Sequence, residues 1–587
     1  MKSHLQDLLR GALQKTLAAT GGTAAPAIAV DATKDPKLGD FQTNLALQLA
    51  KPLGKPPRAV AEMLVANLPA SPRVKSVNIA GPGFINFFVA DAALQSVVSD
   101  ILAAGAAYGR DDSGSKGKVM VEFVSANPTG PMHVGHGRNA AYGDALSNLL
   151  AATGWQVWRE YYINDAGRQI DVLTASVWLR YLQSAKYEVP MPVRGYVADY
   201  INVCAKKLRA AFGNRFERSN EDYLRDLPEE PATAKDDETL KKGLEDYLDA
   251  VIARCKMLLG NDYEVLRKFA YEDQLGIIKQ TLADFGVRFD QWYSERELVE
   301  SGLAQKRRGE LIASGHTYEK DHALWFRTTE HGDDKDRVLV KADGAATYFG
   351  NDLAYHVDKL DRGWSQLIDV WGADHHGLLV RMRAALESLT GRKDALRVQL
   401  IQFVTLSSGK MGKRSGNFVT LADLIADAGK DATRFFYLMR SHDQHLEFDI
   451  DLARSQSTDN PVYYVQYAHA RICSVYAQLQ EKGGVYDRAA GLAALQRLDT
   501  EHEKRLLTAL ARWPEALRNA ATNHAPHLLV HYLKDEVADA LHAYYHAHRF
   551  IIDDAPLQAA RLALIEAARV VLASGLALLG VSAPEKM

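Results

Sequence analysis

Cysteine is nearly absent from this chain: three occur in 587 residues, at Cys204, Cys255 and Cys473, far apart and in no C-x-x-C pair. That spacing speaks against a disulfide scaffold and against a cysteine-based zinc site. A dominant charge is also lacking. Lys and Arg number 70 against 73 Asp and Glu, for a formal net charge of −3, so composition carries no global sign of nucleic-acid binding. A basic face balanced by acidic surface elsewhere stays compatible with that sum. Long apolar runs are missing too. "VVLASGLALLGV" near the C-terminus is only twelve residues long, too short to span a bilayer as a helix. The start, "MKSHLQDLLRGALQKTLAA", is amphipathic and has no signal-peptide core. These absences predict a cytoplasmic multidomain enzyme or binding protein with no membrane partner.

The length predicts about three to five units. Residues 1–112 read as a small α+β unit, with "GDFQTNLALQLAK", a Pro-rich break, "VNIAGPGFINFFV" and a polar linker, "YGRDDSGSKGK". "VMVEFV" (119–124) reads as a buried strand, followed by the loop "SANPTGPMHVGHG", a helix and a second strand, "WQVWREYYI" (155–163). That is the unit of a parallel sheet, with its loop at the ligand-binding edge. Residues 113–405 therefore read as a Rossmann-like domain with a helical insertion over about 180–300. Sheet-like runs return in "HALWFRTT", "RVLVKADGAATYFGNDLAYH", "LIDVWGADHHG" and "VQLIQFVTL". Residues 406–455 form a connecting region and 456–587 a helical bundle. The fold class expected is multidomain α/β.

The chemistry concentrates in two loops. His133-Val134-Gly135-His136 places two imidazoles one helical turn apart where a helix opens, so both can donate to a phosphate, aided by free N–H groups at the helix start. Gly135, without a Cβ, gives a base or ribose room. Alone, the motif reads equally as a turn with two surface histidines. "SSGKMGKRSGNF" holds Lys410, Met411, Lys413 and Arg414 among glycines, suited to clamping a triphosphate and otherwise a solvated basic loop.

Together the two loops resemble the "HIGH" and "KMSKS" elements of class I aminoacyl-tRNA synthetases. "VEFVSANPTGPMHVGHGRNAAYGD", "YYINDAGRQI", "ATYFGNDLAYH", "WGADHHG", "GKMGKRSGNFVTL" and "NPVYYVQYAHARI" narrow the resemblance to arginyl-tRNA synthetases, over nearly the whole length. The chain departs from the family loop at Gly412, where serine is usual.

The resemblance implies catalytic roles for His133, His136, Lys413 and Lys410, and ATP contacts for Gly135, His136, Gly372, Asp374, Met411 and Lys413. It implies arginine contacts for Glu122, Asn127, Tyr348, Asp352 and His376, where the neighbouring His375 leaves the last choice open. A guanidinium has five donors and a fixed charge, so its pocket needs a carboxylate; Tyr348 and Asp352 share a side if their stretch opens a helix. Tyr463, Tyr467 and Arg471 are suited to stacking on unpaired bases of tRNA, or to plain core packing. The partners implied are ATP with Mg²⁺, L-arginine and tRNA-Arg, acting on a monomer without bound zinc. Two rivals compete: another nucleotidyltransferase of the H-x-G-H type, and a non-catalytic RNA-binding relative.

Overall fold

The computed structural model describes residues 1–587 except 22, 24–25, 34–35, 234–235, 343, 345–347, 374–377, 393 and 408–418, and except the side chains of 3, 32, 36 and 348–350. The chain divides into two compact units, Asp112–Ser455 and Met1–Asp111 with Gln456–Met587.

The central unit is built on five parallel strands: β1 (Lys118–Glu122), β2 (Gln156–Ile163), β3 (Gln291–Ser294), β4 (Gln366–Gly372) and β5 (Leu396–Ile401), in the order β5-β4-β1-β2-β3. Buried Val119, Met120 and Val121 make β1 the apolar middle of the sheet, as both-face burial in a parallel sheet requires. Helix α1 (Val134–Ala151) follows β1, with Ala141, Ala145, Leu146 and Leu149 buried. The connection from β2 to β3 carries the helical insertion, Arg168–Ser184, α2 (Asp199–Phe212), Asp237–Leu259 and Asp262–Asp284, around a core of Trp178, Leu208, Tyr247 and Val251.

Three local expectations fail here. The insertion read as helical to about residue 300 contains β3, which is half-buried, four residues long and without an apolar run to mark it. "HALWFRTT" and the start of "RVLVKADGAATYFGNDLAYH" stay outside the parallel sheet; Ala323–Phe326 and Arg337–Val340 pair with Thr317–Lys320 in a separate antiparallel sheet. The rest of that second run is helix α3 (Tyr348–Asp361), whose polar side chains recur at helical spacing. Helix α4 (Leu421–Ala428) follows the second loop.

In the other unit, a four-stranded antiparallel sheet of Asp31–Ala32, Phe41–Thr43, Phe84–Val89 and Val74–Ala80 packs with helices Lys2–Thr20 and Pro57–Ala66. The C-terminal helices include α5 (Pro461–Glu481), α6 (Asp539–Ala547) and Ala555–Leu578. Residues distant in sequence hold this unit together: Trp513 Nε1 donates to Tyr108 O (2.7 Å) and Gln95 Nε2 to Leu498 O (3.1 Å). "VVLASGLALLGV" belongs to the last helix and its end. Among the described residues no helix is long and apolar enough to cross a membrane.

Candidate active site

β1 ends at Glu122, and the chain then turns under constraint. Val124 and Ser125 have φ of 67° and 39°, a left-handed backbone that a β-branched residue adopts only when its surroundings impose it. The Val124 N–H donates to Asn139 Oδ1 (2.7 Å) and the Ser125 N–H to Phe123 O (3.0 Å). Asn139 Nδ2 donates to Val370 O (2.9 Å), so one side chain of α1 pins the loop to β4. Arg138, its buried neighbour, donates to the carbonyls of Gln402, Ser441 and Gln444, tying α1 to the chain on both sides of the second loop. Sequence reading passed over both residues, although they stand inside the quoted motif.

His133 is the N-cap of α1. Its Nδ1 accepts from the N–H groups of Gly135 (3.1 Å) and His136 (3.4 Å), and the His133 N–H donates to His136 Nδ1 (3.2 Å), a reciprocal capping box made of imidazoles. The N–H groups of Gly135 and His136, expected to be free for an anion, are therefore taken. The rings stack at 3.6 Å between centroids and 21°. Because each Nδ1 accepts, each neutral ring carries its proton on Nε2. Burial lowers the His133 pKa; burial, with His133 beside it, pushes His136 down to about 3. The pair is thus a set of uncharged donors at physiological pH. A Cβ on Gly135 would stand 3.0 Å from His133 Cε1, so the space that glycine clears is first of all space for this ring.

A cleft of about 770 Å³ opens here, lined by Asn127, Gly130, His133, His136, Tyr200 and Thr420 among others. Asn127 Nδ2 donates to Gln169 Oε1 (2.6 Å). Thr420, the N-cap of α4, forms a β-bridge with His133, and Leu421 N donates to Met132 O (2.8 Å). The chain leaving the lysine loop is therefore fastened to the histidine loop.

On the other side of β1 lies a pocket of acids. In register across three strands, Asp369, Glu122 and Glu160 stand side by side and buried. Like charges so placed repel unless paired. Helix α3 supplies the partners at helical spacing. Lys359 Nζ donates to Glu122 Oε2 (2.5 Å) and Asp369 Oδ1 (3.0 Å), and His356 Nε2 lies 2.6 Å from Asp369 Oδ2. Tyr355 Oη donates to Glu160 Oε1 (2.8 Å), and Arg362, just past the helix, grips Glu160 through Nη1 and Nη2 (2.7 and 2.8 Å). Burial opposes the Lys359 charge, but Asp369 and Glu122 outweigh it and raise its pKa. Ser125 Oγ donates to the other Glu122 oxygen (2.9 Å).

Asp352, on the first turns of α3, is different. It is half-buried, and among the described residues its carboxylate accepts no hydrogen bond and forms no ion pair. Burial raises its pKa to about 7, with Glu122 and Glu295 adding to the rise against His356 and Lys359. Glu295 is 4 % exposed, has one oxygen without a hydrogen-bond partner among the described residues, and is also raised by burial. Asp352 and Glu295 are thus two acids with no cation partner among the described residues. Among the described residues, two groups have metal-ligand spacing, His316–Glu330–His331 and Glu122–His356–Asp369. In the second, the Lys359 ammonium already stands between the two carboxylates.

Asp374, His375, His376, Lys410, Met411 and Lys413 lie outside the described residues, as does the side chain of Tyr348. Gly372 closes β4 opposite Ile401. In the other unit, Tyr463 and Tyr467 stack on α5 (5.7 Å, 28°), and the Arg471 guanidinium sits between Tyr467 and Tyr545 (4.3 and 4.8 Å) with Nη1 2.9 Å from His542 Nδ1. All three are half-buried, neither plain core nor loose surface.

Residues 3–89 match the arginyl tRNA synthetase N terminal domain, 97–449 the catalytic domain of class I (R) tRNA synthetases, and 465–587 the DALR anticodon binding domain. The arginine–tRNA ligase of Thioalkalivibrio sulfidiphilus is 50% identical over the full length of both chains, and that of Coxiella burnetii 48% identical, again over both full lengths. The fold is that of the Thermus thermophilus arginyl-tRNA synthetase (TM-score 0.74, 24% identity, all of both chains) and of the Plasmodium falciparum one (TM-score 0.71, 15% identity, 100% and 99%). With its stacked histidine pair, its acid-lined pocket and these matches from end to end, the chain belongs to the arginyl-tRNA synthetase family, class I ATP-dependent ligases of amino acid to tRNA.

Proposed function

We propose that this cleft activates L-arginine with ATP and passes it to the 3′-terminal adenosine of tRNA-Arg, releasing pyrophosphate and AMP. The observation that carries the reading is a juxtaposition at the end of β1: uncharged donors for a phosphate on one side, an unpaired carboxylate among acids on the other.

The arginine carboxylate attacks the α-phosphorus in line; an O–P bond forms and the bond to pyrophosphate breaks. His133 and His136 donate from Nε2 to oxygens on which charge grows, so their hydrogen bonds strengthen in the transition state. Lys413 and Lys410 neutralise the β- and γ-phosphates, and Mg²⁺ enters with ATP as part of that substrate. Met411, Gly135, Gly372 and Asp374 flank the nucleoside. Asp352 takes the guanidinium, with Tyr348 closing over it. Asn127 and Glu122 serve the α-amino group, with His376 near it. Both Glu122 oxygens already accept hydrogen bonds, so its contribution is mainly charge. Positioning and charge stabilisation supply the rate, with no protein nucleophile.

The terminal 2′-hydroxyl then attacks the arginyl carbonyl and AMP leaves. By family likeness, activation itself waits for tRNA, the N-terminal domain meets the outer corner of the tRNA, and Tyr463, Tyr467 and Arg471 stack on anticodon bases. The protein acts in the cytoplasm, as a monomer, without zinc. ATP–pyrophosphate exchange with each of the twenty amino acids, with and without tRNA, tests the reading. Exchange with arginine alone, and only when tRNA is added, is the expected result; activation of a different amino acid would overturn it.

A further inference from the structure

The proposed function leaves one side-chain cluster unused. His316, Glu330 and His331 each bring one ligand atom within 4.8 Å of the others, where the central unit is built on its three-stranded antiparallel sheet. Three elements converge there. His316 directly precedes the strand Thr317–Lys320, and its carbonyl accepts from Arg327 N (2.8 Å). Glu330 and His331 stand on the single turn Thr328–His331, whose buried Thr328 donates from Oγ to Lys335 O (2.7 Å). The helix Leu378–Thr390 adds Glu387 and Ser388. The Glu122–His356–Asp369 group is filled by the Lys359 ammonium, but here Arg327 comes only within 4.0 Å of Glu330 Oε1, leaving Oε2 to the histidines. Among the described residues Glu387 pairs with no lysine or arginine.

Hydrogen-bond accounting exposes a donor atom. The Ser388 hydroxyl donates to Ala384 O (2.9 Å), so its lone pair takes the Nε2–H of His331 (2.9 Å). A neutral His331 then turns a bare Nδ1 toward Glu387 Oε2 at 3.5 Å, one acceptor facing another. Beside it, His316 Nδ1 lies 3.0 Å from Glu330 Oε2, and the two rings meet edge to face at 5.3 Å. Donor atoms around a tetrahedral zinc, with bonds of about 2.0–2.1 Å, stand about 3.3 Å apart, and these two pairs bracket that spacing. Imidazole with carboxylate suits zinc and its first-row neighbours, whereas magnesium and calcium favour oxygen alone. Ser388 fixes the His331 tautomer, as the outer partner of a metal-bound histidine does. We propose that His316, Glu330 and His331, with Glu387 as fourth donor, bind one divalent transition-metal ion of the zinc class. The ion would clip the antiparallel sheet to the helix that follows β4 in sequence. The aminoacylation proposed above has no step for it and runs without it, so its role is structural, and no cysteine takes part.

The test uses the full chain, stripped with EDTA and titrated with Zn²⁺ against a chromophoric chelator, with Mg²⁺ as the control. Wild type should hold one equivalent of Zn²⁺ that His316→Gln and Glu330→Gln do not, and its Tm should rise with Zn²⁺ but not with Mg²⁺. Those two side chains are 35% and 49% exposed, so both variants should keep the metal-free Tm while losing the rise. Their Zn²⁺ affinity should fall at least about 100-fold, and that of Ser388→Ala, which keeps all four donors, about 10- to 100-fold. Co²⁺ in place of Zn²⁺ should give the spectrum of nitrogen and oxygen ligation, with no thiolate band. Wild type that takes up no Zn²⁺, variants that hold it as tightly as wild type, or a thiolate band would each overturn the assignment. Arginine activation is read separately, so a failure of the proposed function would leave this result standing.

Discussion

The two flanks of β1 solve opposite electrostatic problems. The histidine side, which in the proposed reading meets a polyanion, carries no charge, because an imidazole whose Nδ1 caps a helix must stay neutral to keep the cap. The acid side, which in the proposed reading meets a cation, holds an excess of carboxylates; Glu122, Asp369 and Glu160 are paired with neighbouring cations, whereas Asp352 and Glu295 have no cation among the described residues. Lys359 serves Glu122 and Asp369, Arg362 serves Glu160, and Asp352 is left without a partner among the described residues. In the proposed reading, selectivity comes from a carboxylate left unmatched in an otherwise paired network, whereas the phosphate side is a feature of a helix start.

Removing the unmatched carboxylate should cost most. Asp352→Ala should lower kcat/KM for arginine on the order of 10⁴-fold, as for sites built around one charged contact, with ATP affinity kept; an unchanged kcat/KM would remove Asp352 from the pocket. The same residue has a stability signature of definite sign. Its folded pKa, about 7, lies above the unfolded value of about 3.9, so its contribution to stability is full below that value and is lost as pH rises through 7. Asp352→Asn should therefore resist urea better than wild type at pH 8 and equally at pH 4.

Removing a counter-ion should come next. Lys359→Met leaves Glu122 and Asp369 buried without their shared ammonium and should destabilise the catalytic unit by about 3–5 kcal/mol in urea titrations. An undiminished midpoint would show that the acid row is not held as described.

On the histidine side, His136→Ala should slow adenylate formation about 10²- to 10³-fold while ATP affinity changes little. His136→Gln, which keeps a donor near the Nε2 position, should recover part of the rate. A defect confined to ATP binding would contradict transition-state donation. The smallest effect belongs to the distant unit: Arg471→Ala should weaken tRNA-Arg binding about tenfold, leaving arginine and ATP affinities alone, since base-stacking surfaces act additively and modestly.

What the sequence made legible follows from range. The histidine side is written within fifteen residues, and helix α1 and strands β1 and β2 were readable from patterning and spacing; the cap by which His133 takes the N–H groups expected to be free was not. The acid side joins Glu122 to residues more than two hundred positions away, and its organising helix was half-hidden in a run that looked like sheet. Only the helical spacing of Asp352, Tyr355, His356, Lys359 and Arg362 could have exposed it. Asn139 and Arg138 were missed for another reason: their work is to hold carbonyls and N–H groups of other segments, which no local pattern records. Strand β3 escaped because four half-buried residues at a sheet edge carry almost no hydrophobic signal. The pairing of the N-terminal sheet with the C-terminal helices in one unit is tertiary information throughout.

The contrast between the flanks is tested most directly by one pH series. ATP–pyrophosphate exchange with tRNA present, measured from pH 5.5 to 8 at limiting and at saturating arginine, separates the two groups. The kcat/KM for arginine should fall as pH drops through about 7, where Asp352 takes up a proton, while kcat at saturation stays flat because His136 titrates only near 3. A kcat that falls with a midpoint between 6 and 7, or a kcat/KM that stays level, would contradict it.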